Sequence, residues 1–151
     1  MARARPGCGE RDRQRARVYA WEDREIAPRD LGTIGYAQAQ PMVDAIWAEL
    51  GLAHPPAVSR IPRQARRLLA DASRLSIRLP AAIPSWCLLH EIAHSLSSTH
   101  DGRTDGHGPI FMGLYLQLLV RYLRLPKAAL LHSLAADRIA VDPDAVPSFA
   151  D

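Results

Sequence analysis

Residues 85–98 read SWCLLHEIAHSLSS, and this stretch sets what the rest of the chain has to build around it. Leu88, Leu89, Ile92, Ala93 and Leu96 recur at helical spacing, which predicts a helix with its apolar side toward a core. Set into it is His90-Glu91-Ile92-Ala93-His94. Two histidines four positions apart project from the same side of a helix, so both imidazoles can reach one metal ion. Glu91, one position on, lies at the edge of that side. From there a carboxylate can take a proton from a water held by the ion without ligating the ion itself.

Upstream, residues 66–79 (RRLLADASRLSIRL) read as two short strands about a turn near Ala72–Arg74. Leu75, Ile77 and Leu79 alternate with Ser76 and Arg78, which predicts one apolar and one polar face. Pro84 suits the first turn of the histidine helix. Residues 36–50 place Met42, Val43, Ile46, Trp47 and Leu50 on one helical face, with Gly51 as the stop and Pro41 as a start or kink. A Pro-rich connector is expected over 55–62. RVYAWE, at 17–22, is the first stretch able to enter a core, as a strand or an early helical turn. Residues 1–15 predict a disordered basic tail. Downstream, 99–108 have loop composition, 109–124 form a strongly apolar helix, 126–136 another, and 142–151 a tail.

The expected whole is an α+β domain over 16–141. A short antiparallel sheet packs on the histidine-bearing helix, and the helix opening at Pro109 closes the metal site. A chain of 151 residues is ordinary for one domain. The 48% hydrophobic and 23% charged residues exclude wholesale disorder. No apolar run approaches the ~18 residues of a membrane span, and no signal-like segment opens the chain. Cys8 and Cys87 cannot make a disulfide framework, so free thiols and a cytoplasmic location are expected.

Charge is concentrated in two places. Residues 1–17 and the cluster Arg60, Arg63, Arg66, Arg67, Arg74 and Arg78 carry the excess of cations. Such patches can meet nucleic acid or acidic surfaces, or simply guard edge strands against pairing. No aromatic residues are interleaved among these arginines to stack bases, so the nucleic-acid reading stands on charge alone. Oligomeric state is not legible.

A metal site of this kind needs a third protein ligand. Residues 106–136 contain no Asp or Glu, which argues against a glutamate supplied by a downstream helix. Of the other four histidines, His54 and His132 have no partner pattern, which leaves two. His100 lies six positions after His94, close to a metzincin spacing, but Ser97 stands where that pattern has glycine, and Met112 is too near to form its methionine turn. His107 lies thirteen positions after His94, in HGPIF at the mouth of the next helix.

HEIAH followed by HGPIF resembles the SprT-like zinc metallopeptidases, which include the Spartan-type DNA–protein crosslink proteases. The likeness covers about 66–124. It implies a small zincin-like fold, one zinc per chain, His90, His94 and His107 as ligands, Glu91 as general base, and a protein or peptide substrate. RDRQRARVYAWE further resembles small predicted metallohydrolases of actinobacteria and their phages. The family's zinc ribbon is absent from this sequence, so DNA targeting by that module does not carry over. The Gly108-Pro109 turn also favours His107, because a rigid turn holds a ligand with less ordering entropy than the glycine-containing loop around His100.

Other residues carry roles to be tested against structure. His100 or Arg103 could stabilise an oxyanion. Asp101 or Asp105 could orient a ligand's second ring nitrogen. Tyr115 or Tyr122 could face the cleft, and Cys87 could close the site as a fourth ligand. The competing functional class is a zincin-shaped binding module with a structural metal and no catalysis.

Overall fold

The computed structural model describes residues 12–62 and 69–151, and within them the chain is mixed α and β. It opens with α1 (Arg15–Trp21), which passes into a π-helical turn (Glu22–Ile26) and a 3-10 turn (Ala27–Arg29). Then follow β1 (Thr33–Gly35), α2 (Tyr36–Glu49), β2 (Ala57–Arg60), β3 (Asp71–Ala72), β4 (Ser76–Leu79) and β5 (Ala82–Pro84). The last elements are α3 (Ser85–Leu96), α4 (Pro109–Tyr122) and α5 (Lys127–Ala136). RVYAWE thus resolves as helix, because Val18, Trp21 and Glu22 form one buried stripe at i, i+3 and i+4.

The sheet expected as one antiparallel unit is two. β1 pairs antiparallel with β5, Thr33 opposite Pro84 and Gly35 opposite Ala82. The second sheet has the order β2-β4-β3. β3 and β4 are antiparallel, as their turn predicts, but β2 lies parallel to β4. The Pro-rich stretch 55–62 was expected to be only a connector. Once Pro56 is passed, Ala57–Arg60 has free N–H groups to enter a ladder. Ile77 and Leu79 are buried as the alternation requires, but Leu75 is 54% exposed because it belongs to the turn rather than to β4. The first of the two expected strands falls partly on 66–68, outside the described residues, as do Cys8, Arg63, Arg66 and Arg67 and the expected tail up to residue 11.

α3 lies at the centre of the molecule. Ten of its twelve residues are buried, polar ones included, the pattern of a helix packed on several sides. Its first turn is capped from elsewhere in the chain. Asp30 accepts the Trp86 N–H at 2.8 Å, satisfying a donor the helix leaves open. Pro84 ends β5 and precedes the helix instead of sitting in its first turn.

α4 packs along α3. Pro109 occupies its first turn, and Asp105 accepts the N–H groups of Ile110 at 2.7 Å and Phe111 at 3.2 Å. Phe111, on the first turn of α4, is fully buried, whereas its neighbour Ile110 is 40% exposed. Gly113 is required by packing. A Cβ there would lie 1.7 Å from the Asp142 carbonyl oxygen, where the chain after α5 crosses α4. Gly51 ends α2 in the left-handed region, at φ 74°. Pro41 sits inside α2 at an exposed position, and the helix runs through it.

Residues 142–151, expected as a tail, pack onto the body. Phe149 stacks on Trp47 with ring centroids 6.0 Å apart, and the Arg74 guanidinium lies 3.9 Å from its ring centroid. Asp151 accepts from Arg74 at 2.9 Å. Arg74 was counted with a basic surface cluster but is buried, because the Phe149 ring and the Asp151 carboxylate cover it. Arg78 pairs with Asp71, and Arg60 lies over the Tyr36 ring at 5.4 Å. No helix among the described residues is long and apolar enough to cross a membrane.

Candidate metal centre

α3 carries His90 and His94 on one side, and their Nε2 atoms lie 3.1 Å apart. The loop before α4 delivers His107, whose Nε2 is 3.3 Å from that of His90. The three form one cluster whose ligating atoms all lie within 4.8 Å of one another. His90 and His107 are buried, and His94 is half-buried. Phe111, on the first turn of α4, backs the group: its ring stacks on His94 at 4.3 Å and meets His107 edge-on at 5.0 Å. The α3–α4 packing therefore sets the distance between the ligand pair and the third ring.

Two carboxylates determine what the rings present to the centre. Glu22, at the start of the π-helical turn, lies 2.7 Å from His90 Nδ1 and also accepts the Tyr115 hydroxyl at 2.8 Å. Asp12 lies 2.7 Å from His107 Nδ1 and accepts the His107 backbone N–H at 3.1 Å. Gln14 ties the same segment down by donating to the His107 carbonyl at 2.9 Å. An ionised carboxylate accepts only, so His90 and His107 each donate an Nδ1–H outward, which leaves Nε2 as the ring atom turned toward the cluster.

Ring nitrogens 3.1 and 3.3 Å apart need a proton or a cation between them. One proton can bridge one such pair; a metal ion serves all three. A tetrahedral zinc with Zn–N bonds of 2.0–2.1 Å has N···N edges of about 3.3 Å, which the separations from His90 match. The charge balance agrees, since the buried carboxylate of Glu22 and the nearly buried one of Asp12 flank the cluster and favour a cation there. The residues present fit a divalent metal.

Burial lowers the basicity of His94 well below the usual histidine value, and the neighbouring His90 and His107 push it the same way. Burial also disfavours charge on His90, but the Glu22 carboxylate outweighs it and raises that ring's pKa. Burial pushes Glu91 up to about 7, against the opposing pull of His90.

Glu91 and His90 line a cavity of about 330 Å³, together with Tyr19, Trp86 and Cys87. A larger one, about 490 Å³, lies behind Asp12 and the 104–109 loop, and neither Glu91 nor the metal-facing histidines line it. Of the two, only the smaller is lined by Glu91.

The remaining sequence candidates fall elsewhere. His100 is exposed, sets its ring 6.2 Å from Phe149, and is not in the cluster. Arg103 and Asp101 pair with each other on the surface. Asp105 caps α4, so neither aspartate orients a ligand; Asp12 and Glu22 do. Cys87 is buried and outside the cluster, and Tyr122 bonds Glu49 away from the histidines. Tyr115 does enter the site, through Glu22. Glu22 left one trace in the sequence, its place at the end of RVYAWE, the first stretch able to enter a core. Asp12 left none.

No family model, no curated protein and no solved structure matches this chain.

Proposed function

We propose that the protein is a zinc-dependent hydrolase, most simply a metallopeptidase, in which His90, His94 and His107 hold the ion and Glu91 is the general base. The observation that carries this reading is the convergence of three histidine Nε2 atoms beside a buried carboxylate that pairs with none of them. The likeness of HEIAH and HGPIF to the SprT-like metallopeptidases supports it. Three nitrogen ligands and no sulfur suit zinc and leave a fourth position for water or substrate. When bound, the ion supplies Lewis acidity, which polarises a carbonyl and makes a water acidic near neutral pH.

The protein's own groups do the rest. Glu22 and Asp12 hold His90 and His107 in the tautomer that ligates and keep their rings from turning. Glu91, at the cavity wall, accepts the proton of the attacking water and returns it to the leaving amine. A binding module with a structural metal has no use for a buried carboxylate beside the ligands.

The test is metal analysis and turnover on the same preparations. One zinc per chain is expected, with hydrolysis of an unfolded protein substrate such as casein. Glu91→Gln should keep the zinc and lose turnover by ~100-fold or more. Zinc-free protein that stays so after zinc addition would overturn the metal reading. Unchanged turnover in Glu91→Gln would overturn the assignment of the base.

A further inference from the structure

We infer that Arg15 is the anion-recognising residue of the site, its guanidinium taking a substrate carboxylate carried close to the attacked carbonyl. This rests on the zinc-hydrolase reading and adds a substrate class to it. α1 lies outside the stretch 66–124 that carries the likeness to the SprT-like metallopeptidases.

Placement is the first ground. Arg15, Tyr19 and Glu22 recur at i, i+4 and i+7 on α1 and the turn that continues it, so they share one side. The other two both reach the histidine cluster. Glu22 holds His90 at 2.7 Å, and the Tyr19 ring meets His107 edge-on at 5.1 Å. Arg15 stands one turn before Tyr19, with its guanidinium carbon 5.6 Å from the Tyr19 ring centroid. Three residues before Arg15, Asp12 bonds the His107 ring. Arg15 is thus flanked by Asp12 and Tyr19, both in contact with His107. Arg13 and Arg17 project elsewhere and line the larger cavity.

Availability is the second ground. Arg15 is half-buried, and among the described residues no carboxylate lies within ion-pair distance of it. Asp12, the nearest acid along the chain, bonds His107 instead. A guanidinium resting beside an aromatic ring is held in place while its fork of N–H groups stays open, and that fork matches a carboxylate. Charge is the third ground. Glu22 is engaged by His90 and Tyr115, and Asp12 by His107, which leaves Arg15 as the uncompensated charge on this side of α1. His94 is the least covered of the three rings and has no carboxylate behind it among the described residues. After burial and the two neighbouring rings, the Arg15 charge also keeps His94 below the usual histidine value. A group approaching over His94 therefore meets a positive field.

The experiment titrates the full-length, zinc-reconstituted protein calorimetrically with hydroxamic acids, which chelate zinc through the same two oxygens. Acetohydroxamate probes the metal alone. Succinic and glutaric monohydroxamates add a carboxylate at two reaches, and their terminal amides are neutral controls of the same length. One of the two acids should bind at least roughly tenfold tighter than its amide. Arg15→Gln should erase that difference while leaving zinc content and acetohydroxamate affinity unchanged. Arg15→Lys, which keeps the charge without the fork, should restore only part of it. A second titration finds the source of the carboxylate, using zinc-loaded Glu91→Gln protein, which binds without turnover. Acetyl-trialanine carries a main-chain carboxylate, its amide carries none, and acetyl-alanyl-glutamyl-alanine amide carries one on a side chain. Tighter binding of the first or the third, lost on adding Arg15→Gln, supports the inference and names the source. Equal binding of all three peptides, or no preference for the acids in the wild type, would overturn the inference and leave the metal reading standing, whether or not the variants fold. A preference that survives Arg15→Gln would overturn the assignment to Arg15. Equal weakening of every probe in that variant, with loss of zinc, would make Arg15 only a support for Asp12 and overturn the inference too. Absence of zinc, or of acetohydroxamate binding, in the wild type would overturn both readings.

Discussion

Glu22 and His90 are 68 positions apart in the chain, yet a Glu22 carboxylate oxygen lies 2.7 Å from His90 Nδ1. The Tyr115 hydroxyl donates to the same oxygen at 2.8 Å. A helix at one end of the chain thus reaches across α3 to set the tautomer of a ring whose other nitrogen faces the metal position. Asp12 does the same for His107 from three residues before α1. One short segment, 12–22, orients two of the three clustered histidines.

Glu22→Gln should weaken zinc binding by about 10–100-fold, the usual effect of losing a carboxylate behind a ligating histidine. Glutamine keeps the shape and one acceptor, so the loss reports charge and ligand basicity. A zinc competition titration against a chromophoric chelator measures it, with melting of the metal-free protein as the folding control. Asp12→Asn should act similarly through His107. Wild-type affinity in both variants would mean the two carboxylates are only packing.

His107→Ala should cost more zinc affinity than either of those variants, because it removes a ligand and not its support. His100→Ala should leave zinc stoichiometry at one, since its ring lies against Phe149 and outside the cluster. The reverse outcome would restore the metzincin-like spacing as the correct one.

Cys87 should resist alkylation in the folded protein. Burial comes first among the causes that raise its pKa to about 12, with the nearby Glu22 and Glu91 charges adding to it. At pH 8 its thiolate fraction is then lower than that of an ordinary cysteine by about 1,000-fold. Site-resolved mass spectrometry after iodoacetamide treatment measures the rate against the unfolded chain. The stability sign follows from the same shift. The folded state keeps the proton between the ordinary value of 9.0 and about 12, so the thiol's contribution to stability falls as pH rises through that window. Rapid labelling at pH 7 in native buffer would contradict the burial.

Gly113→Ala separates local propensity from packing. Helix propensity alone predicts a gain of about 1 kcal/mol in the middle of α4. The Asp142 carbonyl, 1.7 Å from the new Cβ, predicts a loss of about 2 kcal/mol as the segment that donates Asp142 N–H to Pro109 is pushed away. Urea unfolding decides the sign, and a stabilised variant would show that the 142–145 crossing is loose.

How much of this was legible in the chain follows the range of the interactions. His90, Glu91 and His94 sit within five consecutive positions, so helical geometry alone brings them to one side, and periodicity alone predicts the helix. α2, α4 and α5 are local in the same way, with proline and glycine marking their ends. Tertiary structure alone decided the rest. The β1–β5 pair joins stretches whose three-residue strands carry no periodic signal of their own. The parallel placement of β2 beside β4 depends on how the intervening chain returns. The packing of Phe149 and Asp151 on Trp47 and Arg74 needs partners about 75 or more positions away. Asp12 reads as an ordinary surface acid, and Glu22 only as the end of a core-seeking stretch, until that segment is laid against α3 and α4. A carboxylate's role is set by what it faces, and a single chain read in order shows only its neighbours along the backbone.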